Sequence, residues 1–179
     1  ARGWWEGISV DAMLRRAVSE RGDALAIVDP LNSETLDGCA PERLSWLELD
    51  ARVNAMAAAL IGLGLARDDV VCAQLPNTVD AVILFLATAR LGLIVSPVVM
   101  QYREHELAHI LSLTDARAFV TVPTFHGHDH CAMAAGLAEV HPGMQVLTMG
   151  PAAHGTDLKA LAAAADPAPV VERVAPDKL

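Results

Sequence analysis

A chain of 179 residues fits one domain with a hydrophobic core of its own. Its apolar fraction of 53% contains only 4% aromatics, so alanine and branched aliphatics supply the core material and bulk disorder is excluded. A formal charge of −9 with no Lys/Arg cluster excludes a nucleic-acid partner, which would need a basic face for counterion release.

In chain order, the start Ala1-Arg2-Gly3-Trp4-Trp5-Glu6 lacks the charged stretch, apolar run and small-residue site of a signal peptide, and without a methionine it reads as cut from something longer. Trp4 and Trp5 are expected to pack under the first helix rather than to mark a partner or membrane patch. Ser9 caps a helix running to Arg21, with Val10, Met13, Leu14 and Val18 as its core stripe and Gly22 as its stop. A short strand follows at 25–29, then a loop over 30–43, where Pro30, Asn32, Ser33, Gly38 and Pro41 disfavour regular structure.

Ser45 and Glu48 form a capping box for a helix whose apolar residues Leu49, Val53, Met56 and Leu60 recur at helical period, until Gly62 and Gly64 end it. A strand at 70–75, a helix at 79–91 closed by Gly92, a strand at 93–98, a helix at 104–113, a strand at 118–122, a helix at 130–140 and a strand at 145–149 complete the alternation. Strands alternating with helices of this length predict an α/β fold: a layered, mostly parallel sheet with helices on both faces. Residues 1–150 are expected to form this unit. Residues 151–179, rich in proline toward the end, are expected to be a linker, with one short helix at 157–165.

The segment 81–100 carries Arg90 as its single charge. Gly92 and Pro97 divide it into a helix and a strand buried on both faces, which reads as equally apolar as a membrane span; the protein is expected not to be transmembrane. Cys39, Cys72 and Cys131 are an odd set at wide spacing without C-x-x-C, which suits a reducing compartment, so a cytoplasmic location is expected.

Motifs with chemical content are scarce. The turn after the 70–75 strand is Pro76-Asn77, with no G-x-G-x-x-G, and the chain holds no G-x-x-x-x-G-K-[ST] and no G-x-S-x-G. Cys131 beside His130 is read as a small buried thiol, because sequence neighbours rarely face each other as nucleophile and base. His126, His128 and His130 alternate as zinc or nickel ligands would in an extended segment; solvated histidines at a loop and helix start explain them equally well, and no metal site is assigned. Asp129 favours that helix start through the dipole.

Three segments together are more specific than any motif alone. L-S-W-L-E-L-D-A-R-V-N-A-M-A-A-A-L at 44–60, L-P-N-T-V-D-A-V-I-L-F-L-A-T-A-R-L-G at 75–92 and Y-R-E-H-E-L-A-H-I-L at 102–111 resemble, in order and spacing, the opening third of an AMP-forming acyl-CoA synthetase of the adenylate-forming ligase superfamily. Their matching positions include Glu48, Leu49, Asn54, Arg90, Pro97, Glu106, Leu107, Ala116 and Arg117, which are packing positions rather than reactive ones.

The resemblance implies the first subdomain of the ligase's large N-terminal domain, a scaffold without catalytic residues, with the phosphate loop and its lysine beyond Leu179. For the parent enzyme it implies ATP, Mg and CoA, a carboxylic acid substrate, and the remainder of its own chain as the packing partner. It also implies homo-oligomerisation through exposed apolar surface when that remainder is missing. The R-E-x-E-L form at 103–107 and T-F-x-G-x-D at 124–129 look most like ligases for medium-chain fatty or alicyclic acids, such as cyclohexanecarboxylate-CoA ligases.

An amino-acid or aryl-acid adenylation domain, or a free-standing α/β binding module, is the alternative. Trp46 and Leu93 depart from the commoner tyrosine and alanine. Gln101 stands where many members carry an arginine at the CoA channel; by the resemblance Arg103 is expected to substitute for it as a CoA contact, although Arg103 with Glu104 and Glu106 reads most simply as a solvated helix start.

Overall fold

The computed structural model describes residues 7–37, 40–166 and 170. Trp4, Trp5 and Cys39 lie outside the described residues. Helix α1 (Val10–Arg21) starts at Ser9, whose hydroxyl accepts from the Ala12 amide at 3.0 Å. Its core face differs from the expected stripe. Leu14 is buried and Val18 packs on the core, but Val10 and Met13 are 55% and 62% exposed, and Asp11 is buried in their place. The reason lies 79 residues away in Arg90, whose fully buried guanidinium requires a carboxylate.

Strand β1 (Leu25–Val28) leads into the segment expected to be irregular, which instead forms a short helix α2 (Ser33–Asp37) and strand β2 (Arg43–Ser45). β2 pairs antiparallel with β1, Ile27 opposite Leu44 and Val28 opposite Arg43, satisfying β1's backbone and burying Leu44. Helix α3 (Trp46–Gly62) carries the expected capping box, the Ser45 hydroxyl accepting from the Glu48 amide and Glu48 accepting from the Ser45 amide at 2.7 Å.

The remaining elements build the main sheet: β3 (Val70–Gln74), α4 (Val79–Leu91), β4 (Ile94–Pro97), α5 (Glu104–Thr114), β5 (Ala118–Thr121), the hairpin strands β6 (Thr124–Phe125) and β7 (His128–Asp129), α6 (His130–Val140), β8 (Gln145–Thr148), β9 (Thr156–Asp157) and α7 (Leu158–Ala164). Five strands run parallel in the order β4-β3-β5-β8-β9. Within the stretch 151–179 expected to be a linker, Thr156–Asp157 form the fifth strand and Leu158–Ala164 a helix, with Leu158 fully buried. Among the described residues no helix is long and apolar enough to cross a membrane, and 81–100 divides into α4 and β4 at Gly92 as expected; β4, however, is not buried on both faces, because it is the edge strand of the sheet and Ile94 is 51% exposed.

The chain lays β4 on one side of β3 and then crosses to place β5 on the other. Because parallel crossovers are right-handed, this reversal sends their helices to opposite faces. One face packs Val71, Ala73, Ala118, Val120 and Leu147 against α1, α3, α4 and α7; the other packs Cys72 and Phe119 against α5 and α6.

Candidate functional site

In open parallel sheets ligands gather beyond the carboxyl ends of the strands, at the point where strand order reverses. Here that point lies between β3 and β5. Its floor is Gln74, the last residue of β3, which is fully buried. The Gln74 side-chain amide donates to the carbonyls of Val99 at 2.9 Å and Tyr102 at 3.1 Å, so its oxygen faces His130 Nδ1 at 3.0 Å and Nδ1 carries the proton. Thr121, ending β5, donates its hydroxyl to the Gln74 carbonyl at 3.3 Å. One glutamine therefore ties the loop after β4 and the start of α6 to the end of β3.

Arg103 sits above this floor. Its Nη1 donates to the carbonyls of Met100 at 2.7 Å and Tyr102 at 2.8 Å, and its backbone amide donates to Glu106 at 3.1 Å. The guanidinium thus braces the loop that carries it, while Gln101 is exposed.

The histidine cluster is not extended. His126 and Gly127, at φ of 48° and 76°, form the two-residue turn between β6 and β7, since Phe125 pairs with His128. His126 lies edge-on to Phe125 in the open, with ring centroids 4.4 Å apart, whereas the rings of His128 and His130 meet at 4.7 Å. Burial first, then the neighbouring His128, pushes His130 down to about 4, so it is neutral at neutral pH. Among the described residues no group of three or more His, Cys, Asp or Glu converges as a metal site would. Asp129 caps α6 by accepting from the Ala132 amide at 2.8 Å.

Thiol chemistry is closed as well. Burial raises Cys72 to about 12, and burial together with Asp129 raises Cys131 to about 11; the Cys131 thiol also donates to the Val122 carbonyl at 3.6 Å.

The helix N-termini at this edge decide whether it can cradle phosphate, because their unpaired amides are the natural anion site. At each, a carboxylate of the chain already accepts from one amide. Asp29 accepts from the Val79 amide at the start of α4 at 2.6 Å, Glu106 reaches back at α5, Asp129 caps α6, and Asp157 accepts from the Ala160 amide of α7 at 2.9 Å. A polyphosphate would meet four anions where it needs amides. Beyond α4, a cleft of about 390 Å³ between α3 and α7 contains Arg52 and Lys159. Both cations bind Asp80, at 3.0 and 2.6 Å, and Arg52 also meets Glu42 at 3.3 Å.

Sequence reasoning missed two features. Gln74 offered no signal, being one glutamine at the end of an apolar strand. Arg90 did: the single charge of the mostly apolar segment 81–100 is buried with partners or not at all. It sits fully buried among Asp11, Asn54 and Asp50, at 2.5, 2.6 and 2.6 Å.

Comparison with known proteins gives concordant matches. A family described as "AMP-binding enzyme" matches residues 14–179. The 2-hydroxy-7-methoxy-5-methyl-1-naphthoate–CoA ligase of Streptomyces carzinostaticus is 34% identical over 151 residues, covering 84% of this chain and 25% of its own length. The salicyl-AMP ligase / salicyl-S-ArCP synthetase of Mycobacterium tuberculosis is 32% identical over 180 residues, covering 98% of this chain and 31% of its own. The apo structure of MbtA from Mycobacterium smegmatis superposes with a TM-score of 0.79 at 30% identity, over 98% of this chain and 30% of that one. The chain therefore spans a quarter to a third of the length of the curated relatives it matches.

Proposed function

Because the chain belongs to the family of AMP-binding enzymes, we propose that it is the first α/β subdomain of an adenylate-forming ligase that activates an aryl carboxylic acid. In the parent reaction the carboxylate oxygen attacks the α-phosphorus of ATP, the bond to pyrophosphate breaks, and an acyl-adenylate forms. A thiol of CoA or of a carrier protein then attacks the acyl carbonyl and AMP leaves with the bonding electrons.

The observation carrying the substrate class is that the relatives aligned over 84% and 98% of this chain are named for a naphthoate and a salicylate. These relatives favour the aryl-acid alternative over the medium-chain or alicyclic acids suggested by R-E-x-E-L.

The role of this chain is scaffolding. Asp29, Glu106, Asp129 and Asp157 place a carboxylate on one amide at each helix start of the strand edge, which disfavours the ATP phosphates there and supports assigning the phosphate and magnesium chemistry to the rest of the parent. We place the end of the subdomain after α7, near residue 165, and keep Arg103 as the proposed CoA contact.

Acid-dependent ATP–pyrophosphate exchange by the full-length parent tests the substrate class. Salicylate and hydroxynaphthoates are expected to give the highest kcat/KM. A higher value for decanoate or cyclohexanecarboxylate overturns the aryl-acid reading. Arg103→Ala is expected to raise KM for CoA while leaving the exchange reaction unchanged.

A further inference from the structure

Gln74, Thr121 and Thr148 stand side by side in register at the ends of β3, β5 and β8, and all three are fully buried. A buried polar layer has to satisfy its own hydrogen bonds, and Gln74 does so by reaching to the loop after β4. Its side-chain nitrogen donates to the carbonyls of Val99 and Tyr102, 25 and 28 residues further along the chain. His130 sets the orientation of that amide from the other side, because a donor at Nδ1 requires the Gln74 oxygen to face α6.

The Tyr102 carbonyl accepts from Gln74 Nε2 at 3.1 Å and also from Arg103 Nη1 at 2.8 Å, so the glutamine and the arginine are coupled through one oxygen. Among the described residues, both side-chain hydrogen bonds of Arg103 leave from Nη1, which keeps Nε and Nη2 as a fork for a phosphate. After burial and His128, the charge of Arg103 also helps to hold His130 neutral, which puts the guanidinium within electrostatic reach of that ring. A loop held by apolar contact alone can slide along the strand ends, whereas donors on two carbonyls three residues apart fix it at two points.

We propose that the Gln74–His130 pair is a positioning device for the thiol-transfer half of the reaction: it fixes the loop over 98–103, which carries Arg103, where that loop meets CoA. This deepens the reading of Arg103 as a CoA contact and rests on it. Gln74 touches no substrate; it acts through the carbonyls of Val99 and Tyr102. Adenylation does not pass through this loop, so the two half-reactions separate when the glutamine is changed.

The test is steady-state kinetics of the full-length parent, with the KM for CoA in acyl-CoA formation set against ATP–pyrophosphate exchange. Gln74→Met keeps the length of the side chain but removes its donors; it is expected to raise the KM for CoA about tenfold while exchange changes by less than about twofold. His130→Leu, which frees the Gln74 amide to turn over, is expected to follow it. His130→Asn restores a donor at the place of Nδ1 and is expected to keep the KM near its original value, a rescue that a merely structural role does not predict. Leu60→Ala, a core truncation on the opposite face of the sheet, is the control: it lowers the melting midpoint, but loss of folded enzyme lowers the rate without moving a KM. An unchanged KM for CoA in Gln74→Met overturns the inference. So does an equal KM in His130→Leu and His130→Asn, and so does an equal loss in both half-reactions. If Gln74→Met fails to fold, the two His130 variants decide. Arg103→Ala tells this inference apart from the contact it rests on: an unchanged KM there, beside a raised KM in Gln74→Met, removes Arg103 as the contact and keeps the placement of the loop. A parent that forms no acyl-CoA removes the CoA reading and this inference with it.

Discussion

Arg90 Nη1 donates to Asn54 Oδ1 at 2.6 Å, joining the last turn of α4 to the middle of α3 where both side chains are buried. The guanidinium completes itself with Asp11 and Asp50 and lies at the negative end of the α4 dipole. Desolvation is thus offset on every side, and removing one partner exposes the cost.

Arg90→Leu is expected to destabilise by about 3–5 kcal/mol, because Asp11 then remains charged and fully buried with only Arg15 beside it. Asp11→Leu combined with Arg90→Leu is expected to recover part of that loss. Urea midpoints of the two single variants and the double variant check this; simple additivity would contradict it.

The His130 ring makes acid stability asymmetric. Its folded pKa, about 4, lies below the unfolded value near 6.5, so the unfolded chain binds the extra proton first. The stabilisation is complete above pH 6.5 and is lost as pH falls toward 4, by on the order of 3 kcal/mol. Melting curves between pH 7.5 and 4 should show this slope, and His130→Asn should flatten it between 6.5 and 4.

Gly155→Ala is expected to destabilise the β8–β9 pairing by about 1–3 kcal/mol. At φ of 86° an added Cβ would stand 2.8 Å from Val146 Cγ1 and 2.9 Å from the Val146 carbonyl oxygen, so backbone must shift. Faster amide exchange confined to Thr156, Asp157 and α7 is the readout; an unchanged pattern would contradict it.

The 179-residue chain alone is expected not to be stabilised by MgATP. A ligand held at about 100 times its dissociation constant adds about 2.7 kcal/mol to the folded state, a visible melting shift. With carboxylates at the starts of α4, α5, α6 and α7, no shift at millimolar MgATP is expected. A reproducible shift would place the phosphates in this stretch after all.

Local signals were legible wherever the causes were local. Ser45 and Glu48 announce the start of α3, Gly92 the end of α4, and Asp129 the cap of α6, because each acts on amides or dihedrals within four residues of itself. Failures fell where a distant residue set the outcome. The apolar stripe on α1 put Val10 and Met13 inward, but the unpaired charge of Arg90 outweighed two aliphatic side chains and drew Asp11 in. The turn-rich composition of 30–43 concealed β2, since a three-residue strand exists only because β1 offers an edge. The histidines at 126, 128 and 130 alternate in sequence, but a turn at His126 and Gly127 separates the first from the other two.

The sequence by itself determined the α/β class, the parallel alternation and the likeness to adenylate-forming ligases, because hydrophobic period and caps depend on neighbours along the chain. Only the tertiary structure decided that Gln74 ties the loop after β4 to the start of α6, that Asp29 reaches the start of α4, and that Arg90 gathers Asp11, Asn54 and Asp50. Those relationships join residues 25 to 79 positions apart, and a buried polar group selects its partners only when folding removes water as the alternative.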